Sequence, residues 1–345
     1  MALRDEIFEQ PAAAQRLLDS STAAFAPIAK AVADRRPAFA VIAARGSSDN
    51  AALYAQYLFA VRNNLITALA TPSTITLYGA TPHMSDALVI GVSQSGRSPD
   101  IVAVLEEARR QGALTVAIAN AVESPLADAA DHVVDLQAGP ELATAATKSY
   151  TTELLALCLL SHLLDAPADA ERDAMTHVPR LIEKALGEEQ NAKSIAAKHA
   201  ERERCVVLGR GYGYATAREW ALKLQELAQV SAFPFSSADF EHGPLALAEP
   251  DLPILVVAPS GISLNAQTAL LRKLRREHGA RVLALSDSPE ARKLDDGLRV
   301  PAGMPAWLSP MVEIVPAQLY TYHLTLARGL DPEQPRTITK VTKTT

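Results

Sequence analysis

The sequence predicts an α/β protein built from two tandem, doubly wound parallel-sheet domains. Three observations predict it. Short apolar runs ending in small or polar residues alternate with longer helical segments, the pattern of a parallel sheet covered on both faces. The plan of the first half recurs in the second in the same order and with similar spacing. The 345 residues, 48% of them hydrophobic, are enough for two cores of about 150 residues each.

Arg4–Arg36 has helical periodicity with a break at Pro11, an N-terminal helical arm over residues 1–36. The first domain spans 37–166. It holds strands at Phe39–Ala43, Leu65–Leu69, Leu88–Val92, Leu114–Ile118 and His132–Leu136, and helices at Asn50–Val61, from Pro99 through Ile101 to Gly112, and at Lys148–Leu164. Ser98 is placed to cap the second of these helices, with Pro99 at its first position. Residues 167–198 read as a charged helical linker containing Pro167 and Pro179. The second domain, 199–330, repeats the first. Arg204–Gly211 corresponds to Ala40–Gly46, Pro253–Gly261 to Ala87–Gly96, and Arg281–Ser286 to Leu114–Ala119. The tail, 331–345, contains Pro332 and Pro335 and reads as extended and outside the core.

Composition excludes several classes. The net charge is −6 and no basic stripe is visible, so a nucleic-acid partner lacks its electrostatic footing. The most apolar segment, Leu154–Leu164, falls well short of the roughly 20 residues that span a bilayer. The polar, acidic start Met1-Ala-Leu-Arg-Asp-Glu is unlike a signal peptide. Cys158 and Cys205 each lie in an apolar run, as buried thiols without a disulfide framework or a metal site. The expectation is a soluble, cytoplasmic protein that touches neither membrane nor nucleic acid.

Two turns suggest an anion. Ser93, Gln94, Ser95 and Ser98 follow one strand and open a helix; Arg45, Gly46, Ser47 and Ser48 do the same after another. Helix N-termini present unpaired N–H groups, and small hydroxyls there can wrap a phosphate. Either turn alone reads equally well as a set of caps, but two in one domain favour a phosphorylated ligand. The second half has Ala258-Pro-Ser-Gly-Ile-Ser263 instead, a weaker anion turn, so one phosphate site per chain is expected. Lys223 and Glu226 share a helix face; taken alone, they read as an exposed surface ion pair. His242, between Glu241 and Gly243-Pro244, is either an idle loop histidine or a proton shuttle near neutral pH. Lys340 lies in a basic tail that ordinarily does nothing specific; folded over a sugar, a lysine there can form a Schiff base with an open-chain carbonyl.

Taken together, Gly46-Ser-Ser48, Ser93-Gln-Ser-Gly-x-Ser98, Glu141-x-x-x-Ala-x-Thr-Lys148, Ala221-Leu-Lys-Leu-x-Glu226, His242-Gly-Pro244 and Pro335-Arg-x-x-x-Lys340 resemble the sugar isomerase (SIS) domain family. Over essentially the whole chain they are similar to the isomerase half of the glucosamine-6-phosphate synthases. The resemblance implies flavodoxin-like domains, with Ser47, Ser48, Ser93, Gln94, Ser95 and Ser98 on the sugar phosphate and Arg45, Ala145 and Ala146 near the sugar. It implies that His242 assists ring opening, Glu226 moves a proton between C1 and C2, Lys223 supports that step, and Lys340 engages the open-chain carbonyl as the tail closes over the site. It implies no cofactor and no metal, and a homodimer in which His242 serves the partner's site. The glutaminase part is missing and no cysteine follows Met1, so ammonia from glutamine is not expected. Ala146 stands where the synthases have a serine, and Arg45 and Arg97 make the pocket more cationic. The Arg45-Gly-Ser-Ser-Asp49 turn and the Lys340-Val-Thr-Lys343 ending look more like the stand-alone glucosamine-6-phosphate deaminases. The resemblance leaves open a galactosamine-6-phosphate deaminase, a fructosamine-6-phosphate deglycase or a non-catalytic sugar-phosphate sensor.

Overall fold

The computed structural model describes residues 2–164 and 169–340. The expected boundary at Ala166–Pro167 and the tail beyond Lys340, Lys343 included, lie outside the described residues. In chain order the first elements are α1 (Ala2–Phe8), α2 (Gln10–Arg35), β1 (Phe39–Ala43), α3 (Gly46–Asn63), β2 (Thr67–Leu69), α4 (Ser73–Thr76), β3 (Ala87–Ser93), α5 (Pro99–Arg110), β4 (Leu114–Ala119), α6 (Pro125–Asp128), β5 (His132–Asp135) and α7 (Lys148–Leu164). They continue with α8 (Asp169–Thr176), α9 (Val178–Leu186), α10 (Glu189–Lys198), β6 (Arg204–Gly209), α11 (Tyr212–Glu226), β7 (Ser231–Ser236), α12 (Ser237–Glu241), β8 (Pro253–Val257), α13 (Leu264–His278), β9 (Arg281–Ser286), α14 (Pro289–Arg292), β10 (Asp296–Arg299) and α15 (Ser309–Ala327).

By contact the chain divides into two compact units. The N-terminal unit takes residues 12–142, the described residues of 148–176, and 339–340; the C-terminal unit takes 2–11, 143–147 and 177–338. Neither is a continuous stretch: part of the helical arm groups with the C-terminal sheet, and Lys340 groups with the N-terminal one.

The N-terminal sheet runs β2-β1-β3-β4-β5, every pair parallel. The C-terminal sheet runs β7-β6-β8-β9-β10, again all parallel, so both copies share one winding order. All seven residues of β3 are buried. Val89 joins the core made with Ile101 and Leu105 of α5, while its buried neighbours Leu88 and Ile90 point to the opposite face. Burial on both faces is why these strands read as unbroken apolar runs rather than alternating ones. In the C-terminal unit α11 packs on β6, β7 and β8 and also on α15, which carries α9 and α10 on its flank. Two of the three helices of the expected linker, α9 and α10, therefore belong to the C-terminal core, and the third, α8, groups with the N-terminal unit.

The elements differ from the sequence reading in instructive places. The break in the arm falls at Glu9, just before Pro11: α1 stops at Phe8, and Pro11 sits in the first turn of α2, where its missing N–H costs nothing. Helix α3 begins at Gly46, not Asn50, so Gly46, Ser47 and Ser48 form its first turn rather than a preceding loop. Ser98 occupies the expected N-cap position of α5, but its side chain makes no capping bond. Asp100 Oδ1 accepts the Ile101 N–H at 3.0 Å instead. The tail to Lys340 has neither helix nor strand, yet Glu333 accepts the Leu3 N–H at 3.1 Å, and Pro332 is buried. Among the described residues no helix is long and apolar enough to cross a membrane.

Candidate active site

In a sheet of this order the chain leaves β1 and β3 in opposite directions, and a crevice opens between their carboxyl ends. Both anion turns of the N-terminal unit lie there: Arg45–Ser48 follows β1, and Ser93–Ser98 follows β3. A salt bridge joins them. Arg45 Nε donates to Oδ2 of Asp100 at 2.8 Å, with Asp100 buried in the first turn of α5 and Arg45 half-exposed. A carboxylate at a helix N-terminus is favoured by the helix dipole. Arg45, expected near the sugar, thus has part of its guanidinium committed to bracing the two turns.

The Ser93–Ser98 turn is built from its own hydroxyls. Ser93 Oγ accepts the Gly96 N–H at 3.2 Å, and Ser95 Oγ accepts the Arg97 N–H at 3.3 Å. A hydroxyl that accepts from the backbone still has its own proton to donate. Gly96 is required twice over: its φ is +62°, and a Cβ there would lie 2.1 Å from Ser124 Oγ. The Gln94 carbonyl accepts the N–H groups of Asn120 and Ala121, tying the turn to the loop after β4. In the other turn Ser48 reaches inward: it is buried and its Oγ donates to Glu153 Oε1 on α7 at 2.8 Å, whereas Ser47 stays half-buried at the helix start.

A third group lies on the same edge of this sheet. Glu141, in the loop after β5, accepts from Ser149 N at 3.0 Å, from Ser149 Oγ at 2.8 Å and from Lys340 Nζ at 2.8 Å. Asn120 holds the same loop through Ala138 and Gly139. The N-terminal unit therefore carries Arg45, the serine turns and Gln94 on loops at the carboxyl edge of its sheet, and Lys340 of the tail is bound to Glu141 in the loop after β5.

The C-terminal unit holds Lys223, Glu226, His242, Ala145 and Ala146. Helix α11 leaves β6 through Gly209, whose position no side chain can take: a Cβ would lie 2.3 Å from the Gly213 carbonyl oxygen. Lys223 is 1% exposed, which overturns the surface ion-pair reading. Its Nζ donates to Glu226 Oε2 and lies 3.5 Å from Oε1 of Glu219, itself 0% exposed. Three charged groups thus run along one face of α11, and only Glu226, at 23%, opens toward solvent. Glu219 was missed by the sequence reading, although its spacing of four from Lys223 marks the shared face. His242 is exposed, one residue past α12, and no hydrogen bond or ion pair joins it to Lys223 or Glu226 among the described residues. Ala145 is buried and Ala146 half-buried; a Glu6 carboxylate anchors their segment by accepting the Ala143 N–H. The turn after β8 is closed to an anion of the first kind: the Ser260 N–H donates to Asp287 Oδ1, an internal carboxylate, at 2.6 Å.

Among the described residues no group of three or more His, Cys, Asp or Glu is placed to hold a metal ion. Cys158 and Cys205 are buried free thiols, each pushed up to about 12 by desolvation.

Comparison with known proteins agrees with this architecture. The glutamine–fructose-6-phosphate aminotransferase (isomerizing) of Thermococcus kodakarensis is 31% identical over 343 residues, which cover 97% of this chain and 56% of that protein. The chain spans about half the length of the curated relatives it matches. A solved structure from Silicibacter pomeroyi DSS-3, provisionally described as a phosphosugar isomerase, is 33% identical with a TM-score of 0.87 and covers 96% of this chain and 99% of that one. The C-terminal domain of glucosamine-fructose-6-phosphate aminotransferase from Francisella tularensis is 26% identical with a TM-score of 0.88, covering 97% and 98%. The SIS domain model matches residues 39–163 and 199–328, one match on each parallel sheet, and the chain belongs to the SIS domain family.

Proposed function

We propose that this protein is an enzyme acting on sugar phosphates, specifically an isomerising glucosamine-6-phosphate deaminase of the cytoplasm. It converts glucosamine 6-phosphate and water to fructose 6-phosphate and ammonia. The observation that carries this reading is the buried Lys223 held between Glu219 and Glu226 on α11. A sensor needs anion turns but has no use for a buried ammonium that orients one partly open carboxylate. An aldose–ketose shift does need it, because a base must face a weak carbon acid at fixed distance and angle.

In this reading the first turns of α3 and α5 hold the phosphate. The single phosphate per chain is supported by Asp287, which takes the N–H of the corresponding second turn. His242 moves the ring proton as the sugar opens. Glu226 takes the proton from C2 and returns it to C1, while Lys223 stabilises its carboxylate. The C2 amine becomes an imine; water adds to that carbon, and ammonia leaves. We read deamination rather than amination because the Arg45-Gly-Ser-Ser-Asp49 turn and the lysine-bearing tail resemble those of the stand-alone glucosamine-6-phosphate deaminases. We propose a homodimer as the working form, with the exposed His242 serving the partner's site.

The test is to incubate pure protein with glucosamine 6-phosphate in the absence of glutamine. Ammonia and fructose 6-phosphate are expected in equal amounts; silence in both channels overturns the reading. Glu226→Gln is expected to lose turnover by at least about 100-fold while equilibrium binding of the sugar phosphate is retained. Loss of binding with turnover per bound substrate preserved would reject the role given to Glu226.

A further inference from the structure

The ion pair between Lys340 and Glu141 joins residues 199 positions apart. Its two members are unequal. The Glu141 side chain is 0% exposed and the Lys340 side chain 25%. A carboxylate buried this deeply is costly unless its lone pairs are satisfied. Ser149 satisfies it from behind, donating N–H to Oε1 and Oγ–H to Oε2. The ammonium of Lys340 approaches Oε2 as well. One turn further along α7, Glu153 accepts the Ser48 hydroxyl. A rigid helix therefore connects the Lys340 contact to the serine turn of α3. An exposed carboxylate would have sufficed to anchor a tail; this one is set inside the N-terminal unit and orients Nζ.

A lysine that adds to a carbonyl must first lose a proton, because an ammonium has no lone pair to give. With Glu141 shielded from solvent, the proton has a direct path across the 2.8 Å hydrogen bond. We propose that Glu141 is the positioning residue and proton partner of Lys340; this rests on the reading of Lys340 as the residue that engages the open-chain carbonyl. The Nζ proton passes to Glu141. The freed lone pair forms a C–N bond to the carbonyl carbon, the C=O π pair moves to oxygen, and a second nitrogen proton transfers to that oxygen. The carbinolamine hydroxyl then takes the proton stored on Glu141 and leaves as water. An iminium remains on Lys340, and Glu141 is a carboxylate again.

The experiment traps that iminium. Full-length protein is incubated with fructose 6-phosphate and sodium cyanoborohydride between pH 6 and pH 9, and the adduct on Lys340 is quantified by mass spectrometry. The wild type is expected to trap across the range. Glu141→Gln is expected to trap about 100-fold more slowly at pH 6.5 and to recover as pH rises and solvent accepts the proton. Its binding of fructose 6-phosphate is expected to be unchanged. Glu141→Asp, which keeps the charge with a shorter reach, is expected to fall between the two at pH 6.5, and it carries the test if the glutamine variant does not fold. Equal trapping by Glu141→Gln and wild type at every pH overturns the inference and leaves the role of Lys340 intact. A defect independent of pH overturns it too, reducing Glu141 to an anchor. No adduct in the wild type overturns the reading of Lys340 itself, and the inference with it.

Discussion

Glu313 shows how burial alone can make a side chain sense pH. It lies on α15 at 0% exposure, with Thr216 Oγ1 of α11 donating to its Oε2 at 3.2 Å. Desolvation pushes its carboxyl up to about 7 from an ordinary 4.5; Ser309 and Thr216 oppose the shift, and Asp287 adds to it. The folded state thus favours the neutral acid. Its contribution to stability is complete below pH 4.5 and is lost as pH rises through about 7. Glu313→Gln keeps the shape and removes the charge. In urea denaturation the variant is expected to gain roughly 2–3 kcal/mol on the wild type between pH 5 and pH 8. A stability difference that is flat with pH would show that Glu313 titrates in the folded protein as it does in the unfolded chain, and would overturn the effect of burial. His199 has the opposite sense: burial lowers its pKa below the ordinary 6.5, so its contribution is present above pH 6.5 and fades as pH falls through its folded value.

Helix α11 is positioned by what its neighbours lack. Gly209 ends β6, and the Gly213 carbonyl of the next turn lies where a Cβ would sit. The close approach sets where the helix starts, and hence where Glu219, Lys223 and Glu226 stand further along it. Gly209→Ala must displace backbone, not a flexible side chain. It is expected to cost about 1–3 kcal/mol of stability and to lower kcat more than it raises KM, since the base is displaced while the phosphate turns are untouched. Steady-state kinetics beside thermal denaturation read both. A Gly209→Ala enzyme with wild-type kcat would show that the placement of α11 is not coupled to turnover. Helix α7 works in the same way for the other unit: its first turn fixes Glu141 through Ser149, and Glu153 one turn on takes Ser48.

At the scale of the molecule, two units repeat one strand order but not one chemistry. The first keeps open serine turns; the second closes its turn with Asp287 and carries the charged row on α11. The proposed dimer is tested by mixing two inactive chains, Glu226→Gln and His242→Ala, under conditions that exchange subunits. If His242 acts on the partner's substrate, random pairing restores about a quarter of wild-type activity, because half the dimers are mixed and each has one intact site. No recovery, with exchange demonstrated by tagged subunits, places His242 in its own chain's site.

By itself the sequence determined the fold class, the succession of strands in the first domain and the serine-bearing turns at the ends of two of them. These follow from local signals: apolar runs long enough for buried strands, helical periodicity, and Gly, Ser and Pro at strand ends, as in Ser93–Ser98 and at Pro99. The long helix that starts at Lys148 was legible because its apolar length is a local signal too. The tertiary structure decided which polar groups are buried and what they meet. Spacing put Lys223 and Glu226 on one face of a helix, yet only packing against the sheet and α15 made that face an interior one. Nor could spacing pair Arg45 with Asp100, Ser48 with Glu153, or Lys340 with Glu141, partners 55, 105 and 199 residues apart. Periodicity reports direction from the helix or strand axis; the depth of a side chain, and the charge that answers it, depend on which distant segments the sheet order brings alongside.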